Sequence, residues 1–158
     1  MYKKFLVLIE RSDEEFPAAE ILTKNKICEY VDTVSGTVDG IGKYEGEEKN
    51  LERICRNFGI KVDIKEIEKE ILRKERNKPN PFWLRLEVIK TDGIEEKLNR
   101  LKNYEEIYLT KDGTLFLRSR ERYNSEVSRV EDLTLRVLKN YIDWGKRIET
   151  HFVFKRFS

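Results

Sequence analysis

The sequence predicts an α+β fold, with a ferredoxin-like βαββαβ sandwich in the C-terminal half and a smaller α+β unit in the N-terminal half. Short segments with apolar residues at strand spacing are separated by segments with helix spacing. The Pro- and Asn-rich stretch "RKERNKPNP" divides an irregular first half from a regular second half. We therefore place the two units at residues 1–78 and 81–158, although 158 residues also suit one compact domain.

The first elements of the chain are a buried strand and a segment with two interpretations. "FLVLI", Phe5–Ile9, is a short apolar run that predicts a strand. Residues 18–44 are rich in Thr, Val, Ile and Tyr and are broken by Asn and Gly, which favours short strands joined by turns. A helix over Ala18–Val31 is the alternative. Gly40-x-Gly42 lacks the GK[ST] of a phosphate loop, so turn glycines are the better interpretation.

Two helices are predicted next. Asn50–Phe58 places its apolar residues on one helical face, and Gly59 can end that helix in the left-handed conformation. Asp63-x-x-Glu66 has the spacing of a capping box, and Ile64, Ile67 and Ile71 follow it at helical intervals. The second helix is therefore expected to run toward the Pro-rich stretch.

The second half predicts the order β-α-β-β-α-β. Turn residues at Asp92-Gly93 and Asp112-Gly113 separate its first three strands, and a capping residue precedes its long helix. The predicted elements are the strand Phe82–Lys90, a helix with Ile94, Leu98 and Leu101, the strands Glu106–Thr110 and Thr114–Arg120, a helix from about Ser125 to Ile148, and the closing strand "THFVFKRF".

Composition limits the function classes. The net charge of +2 gives no strong nucleic-acid signature, and two cysteines outside any CxxC with one histidine argue against a zinc site. We therefore predict no resident cofactor. No stretch has transmembrane length and no signal peptide is evident, so a cytoplasmic protein without a membrane partner is expected. Abundant Lys and Glu without glutamine suit a thermophile.

The strand "PFWLRLEVIK" suggests the main functional hypothesis. Alternation places Leu84 and Leu86 on one face and Trp83 and Arg85 on the other. Aromatic rings beside arginines on an open sheet can stack bases and hold phosphates. The chain is therefore predicted to bind RNA or DNA through Trp83, Arg85, Phe116, Arg118, Arg120 and Arg122. The alternative is that the N-terminal unit covers this face, which would make its aromatic residues part of a core.

Two further hypotheses belong to other classes. Glu87, with Lys90 and Asp92 near the end of the same strand, could hold Mg²⁺ in a metal-dependent nuclease, and only then would a cofactor be needed. The long helix carries two apolar rows, one of them Leu133, Leu138 and Ile142. A helix with two apolar rows would suit a non-catalytic adaptor that forms a homodimer through this helix or through a sheet edge.

Overall fold

The computed structural model describes residues 3–12, 17–73, 81–119 and 127–158. These ranges hold eight strands and four helices. The strands are β1 (Lys3–Glu10), β2 (Cys28–Val34), β3 (Val38–Gly46), β4 (Val62–Arg73), β5 (Phe82–Glu87), β6 (Tyr104–Thr110), β7 (Thr114–Ser119) and β8 (Glu149–Phe157), and the helices are α1 (Ala18–Lys24), α2 (Glu48–Asn57), α3 (Ile94–Leu98) and α4 (Val127–Val137).

The predicted fold class is wrong. The strands are hydrogen-bonded in the order β1-β3-β2-β8-β5-β7-β6-β4, and this order closes on itself as an eight-stranded β-barrel. A ferredoxin-like sandwich of four strands beside a smaller unit does not describe that topology. The first half contributes as many strands as the second, because residues 62–73 form a strand and not the helix expected from the sequence.

The fold class was predicted wrongly because the sequence favours a helix where the structure has strand β4. Asp63 and Glu66 have capping-box spacing, but both lie within β4 and pair with β1, Asp63 opposite Leu8 and Glu66 opposite Phe5. The isoleucines at helical intervals lie in the same strand. Pairing with a neighbouring strand therefore outweighs a local helix signal of the size that capping gives, about 1 kcal/mol.

Contacts divide the chain into two compact units. The first unit comprises Met1–Ile67 with Val153–Ser158, and the second comprises Glu68–Phe152. The predicted boundary between residues 78 and 81 falls outside the described residues, so that division of the chain stays a prediction.

The core of the first unit lies between its strands and its two helices. Alternate residues of β1 face the helices and pack against Leu22 of α1 and Leu51 of α2. Helix α2 confirms the prediction for Asn50–Phe58, and strand β1 confirms that for Phe5–Ile9. Residues 18–44 combine both interpretations, since α1 is followed by β2 and β3. The Gly40-x-Gly42 pair lies inside β3, so its assignment to a turn was wrong.

The core of the second unit is built in the same way. Leu84 and Leu86 of β5 share a core with Leu98 of α3 and Val130 of α4. Strands β5 to β8 and helix α3 lie where the sequence predicts them. Helix α4 ends at Val137, eleven residues before the predicted Ile148.

Candidate functional site

The structure brings together four of the predicted site residues on one face of the second unit. Trp83 lies opposite Arg118, and Arg85 lies opposite Phe116, in the pairing of β5 with β7. The shared face is therefore as the sequence predicts. In the hairpin of β6 and β7, Phe116 pairs with Tyr108. Arg120 and Arg122 lie outside the described residues.

This face is buried. Trp83 and Phe116 have no exposed surface, and Arg118 is 2% exposed. The Trp83 ring lies 6.3 Å from the ring of Tyr108 and meets the Phe116 ring edge-on at 6.5 Å. An aromatic ring stacks a base only if its face is accessible, and these ring faces are covered.

The charge of Arg118 is balanced by two buried carboxylates. Its guanidinium donates to Glu105 Oε2 at 3.2 Å and lies 3.8 Å from Glu106 Oε2. Tyr108 donates its hydroxyl proton to Glu106 Oε1 at 2.5 Å. A guanidinium held in this way is not available to a phosphate. Strict alternation would point Glu105 and Glu106 to opposite faces, but the bulge in β6 lets both reach Arg118.

A second polar group on the same face surrounds Glu149. Its carboxylate lies 3.2 Å from His151 Nε2, 4.0 Å from Arg85 and 3.6 Å from Arg147. His151 is 1% exposed. The Arg85 guanidinium also lies over the Phe116 ring, 5.6 Å from its centre. These contacts place the buried His151 and the partly buried Arg85 around one carboxylate.

The residues of the nuclease hypothesis do not form a metal centre. Glu87 accepts hydrogen bonds from the Thr114 hydroxyl at 3.2 and 3.3 Å. Lys90 and Asp92 are exposed, and the Lys90 ammonium lies over the Tyr141 ring. Within the described ranges no group of three His, Cys, Asp or Glu side chains is placed to hold a metal ion.

The first unit contains a pocket that sequence analysis did not find. It has a volume of about 780 Å³ and lies where β1 ends, beside the start of α1 and the connection after α2. This volume falls in the range of small-molecule sites, about 300–1,000 Å³. Its apolar wall is formed by Ile9, Ala18, Phe58, Ile60 and Phe157.

Two aromatic side chains, Phe58 and Phe157, line this pocket. Phe58 is the residue directly after α2, and its side chain is 42% exposed. The side chain of Phe157 is partly buried. Ligand pockets are lined mainly by apolar and aromatic side chains, and Phe58 and Phe157 fit that pattern. Phe58, Ile60 and Phe157 are distant in sequence from Ile9, so only the tertiary fold reveals the pocket.

Charged groups of both signs line the same pocket. Arg11 and Lys61 are basic, whereas Glu10, Glu20 and Asp39 are acidic. Asp39 accepts a hydrogen bond from the backbone N–H of Ser12 at 2.9 Å, and the pKa of Glu20 is lowered by its hydrogen bond and ion pair with Lys24. The remaining groups can bind polar substituents or transfer protons.

The pocket does not fit a resident haem. Haem iron is held by His, Cys, Met or Tyr side chains, and no such residue lines the pocket in the described chain. His151 belongs to the second unit and is buried beside Glu149. Burial raises the pKa of the Cys28 thiol to about 12 and that of Cys55 to about 11, so both thiols stay protonated and are poor ligands.

Comparison with solved structures reveals likeness in fold. The chain superposes on the siroheme decarboxylase NirDL with a TM-score of 0.69 at 8% identity, over 98% of this chain and 72% of that one. The complex of NirDL with an iron-uroporphyrin III analogue gives 0.70 at 9% identity with the same coverage. An anthrone oxidase-like protein gives 0.52 at 8% identity, over 99% of this chain and 92% of that one.

These comparisons correct the functional predictions. No family model matches the chain, and no curated protein matches it in sequence. At such low identity the likeness to the siroheme decarboxylase and to the anthrone oxidase-like protein shows the fold alone. The predictions of a nucleic-acid-binding protein, of a nuclease centred on Glu87 and of a non-catalytic adaptor were wrong. Nothing in the comparisons indicates a DNA or RNA partner. In the described part of the chain, no helix is both long and apolar enough to cross a membrane.

Proposed function

We propose that this protein is an enzyme that binds a planar, conjugated ring compound in the pocket of the first unit. The observation that carries the proposal is the pocket of about 780 Å³ with Phe58 and Phe157 in its wall. Flat rings bury a large apolar area against phenyl side chains and gain an aromatic contact in addition. The fold likeness to a siroheme decarboxylase and to an anthrone oxidase-like protein supports the same ligand class.

The pocket restricts the substituents of that ring. Two basic and three acidic side chains line it, so a ring with many carboxylates meets no excess of positive charge there. Arg11 and Lys61 suffice for one or two acidic or carbonyl oxygens. We therefore favour a ring compound with few acidic groups over a tetrapyrrole with many.

Acid–base catalysis is the chemistry that the pocket residues can supply. The backbone N–H of Glu10 donates to Lys61 C=O at 2.9 Å, which holds the two residues next to each other where β1 ends. A carboxylate in the pocket wall can exchange a proton with a ring substituent. Glu10 is our candidate for proton transfer, and Lys61 would orient an oxygen of the substrate.

Binding is tested by absorbance titration with two probes, iron uroporphyrin and anthrone. We expect anthrone to bind more tightly, and we expect Phe58→Ala to weaken binding several-fold, because an aromatic contact contributes about 0.5–1.5 kcal/mol. Trp144→Ala is the matched control, since it removes an aromatic side chain of the second unit that is 56% exposed. If neither probe binds, or if both variants weaken binding equally, the proposal fails.

The predicted homodimer stays a prediction. In the row Leu133, Leu138 and Ile142 of the long segment, Leu138 and Ile142 are buried in the core of the second unit, and only Leu133 is exposed. We propose light scattering of the whole chain as the test. A mass of two chains would support dimerisation through a surface other than that row.

A further inference from the structure

The two units repeat one arrangement of elements. Each follows the order β-α-β-β-α-β, and the strands of each are hydrogen-bonded with the first strand between the fourth and the third. The pocket of the first unit lies at the end of β1, the start of α1 and the connection after α2. The corresponding position in the second unit is the end of β5, the start of α3 and the connection after α4.

The connections at these two positions differ in length. Residues 58–61 are the four that join α2 to β4, whereas residues 138–148 are the eleven that join α4 to β8. A short connection passes beside the end of β1 and leaves space open. The longer connection has the sequence "LKNYIDWGKRI", whose apolar residues favour burial against the rest of the unit.

The longer connection folds over the end of β5. Ile142 forms a β-bridge with Val88, and Ile89 N–H donates to Tyr141 C=O at 2.8 Å. Asp143 N–H donates to Glu87 C=O at 3.0 Å. The side chain of Ile142 is buried with the rest of the second core. These bonds fix the segment as part of the folded unit.

Tyr141 extends from this segment toward the start of α3. Its hydroxyl lies 3.2 Å from the position that a Cβ would take on Gly93, the residue that precedes α3. Gly93 has a φ of +80°, a conformation that glycine adopts without strain. In the first unit the corresponding space beside Ala18 belongs to the open pocket.

We propose that the chain binds one ligand, in the first unit only, because Tyr141 and its connection close the equivalent site of the second unit. The nature of the ligand rests on the proposed function, but the number of sites does not. The second unit therefore contains a latent site of the same class, which removal of the Tyr141 ring would open.

The number of sites is measured with anilinonaphthalene sulfonate, an aromatic anion that fluoresces in apolar pockets. We expect the unaltered chain to bind one equivalent and Phe58→Ala to bind it several-fold more weakly. Tyr141→Ala should bind a second equivalent, and the matched control Tyr141→Phe, which keeps the ring, should bind only one. Circular dichroism verifies the fold of each variant, and Tyr141→Val replaces Tyr141→Ala if the latter does not fold.

The number of dye equivalents bound distinguishes one open site from two or from none. Two equivalents on the unaltered chain, or a single equivalent that Phe58→Ala does not weaken, would overturn the inference. A single equivalent on both Tyr141→Ala and Tyr141→Phe would show that Tyr141 does not close a site. Absence of dye binding would exclude the pocket itself. One equivalent of dye without binding of anthrone or iron uroporphyrin would instead reject the proposed function and leave the inference standing.

Discussion

Arg118 shows at the scale of one residue why the predicted binding face is a structural core. A guanidinium that is 2% exposed would be very costly to bury without counter-charges, and Glu105 and Glu106 provide them. The two carboxylates in turn depend on Arg118. Removing the cation would leave two buried negative charges close together.

We therefore predict that Arg118→Met lowers the free energy of unfolding by about 3–5 kcal/mol, the usual cost of breaking a buried ion pair from one side. Arg100→Met is the matched control, because Arg100 and its partner Glu96 are both exposed to solvent. This substitution should lower the free energy of unfolding by less than about 1 kcal/mol. Urea unfolding of the three proteins measures both changes. Equal stabilities of the two variants would contradict the role of this network.

At the scale of an element, strand β3 shows how closely two paired strands can approach each other. Gly42 lies where β3 approaches β2 so closely that an added Cβ would lie 3.0 Å from Val31 Cγ2 and 3.1 Å from Tyr30 C=O. Glycine in a strand interior often marks such a close approach. The backbone oxygen belongs to the neighbouring strand and cannot move aside without disturbing the pairing.

Gly42→Ala should accordingly destabilise the protein by about 1–3 kcal/mol, although alanine suits a strand better than glycine does. Glu45→Ala, at an exposed position of the same strand, should change stability by less than about 0.5 kcal/mol. Thermal unfolding compares the two variants. A Gly42→Ala protein as stable as the unaltered chain would show that β2 and β3 can separate slightly at no cost.

The elements also show what the sequence could predict. Period-two alternation located β5 and the face shared by Trp83 and Arg118, because side-chain direction in a strand is a local property. β4 was missed because its local signals favour a helix, and only pairing with β1 decides its conformation. The pocket was missed for a similar reason, since Phe157 reaches it from the last strand.

At the scale of the whole molecule, strand β8 contributes to both units. Residues 149–152 of β8 pair with β5 in the second unit, whereas Val153–Phe157 pair with β2 in the first. Arg156 strengthens the second pairing with two hydrogen bonds to the buried Asp32, at 2.7 and 3.0 Å.

Deletion of residues 153–158 tests whether the two ends of β8 stabilise different strands. Strand β2 would lose a neighbour and Asp32 would lose its cation, so we expect the backbone amides of β2 to exchange with solvent much faster than in the full chain. The amides between β5 and β7 should keep their protection, because their partners remain. Ring-compound binding should be lost as well, since Phe157 forms part of the pocket wall. Phe154→Ser, which changes an exposed side chain of the same segment, is the control and should leave both the exchange rates and binding unchanged. Uniform loss of protection across all strands would mean instead that the two units unfold together as one.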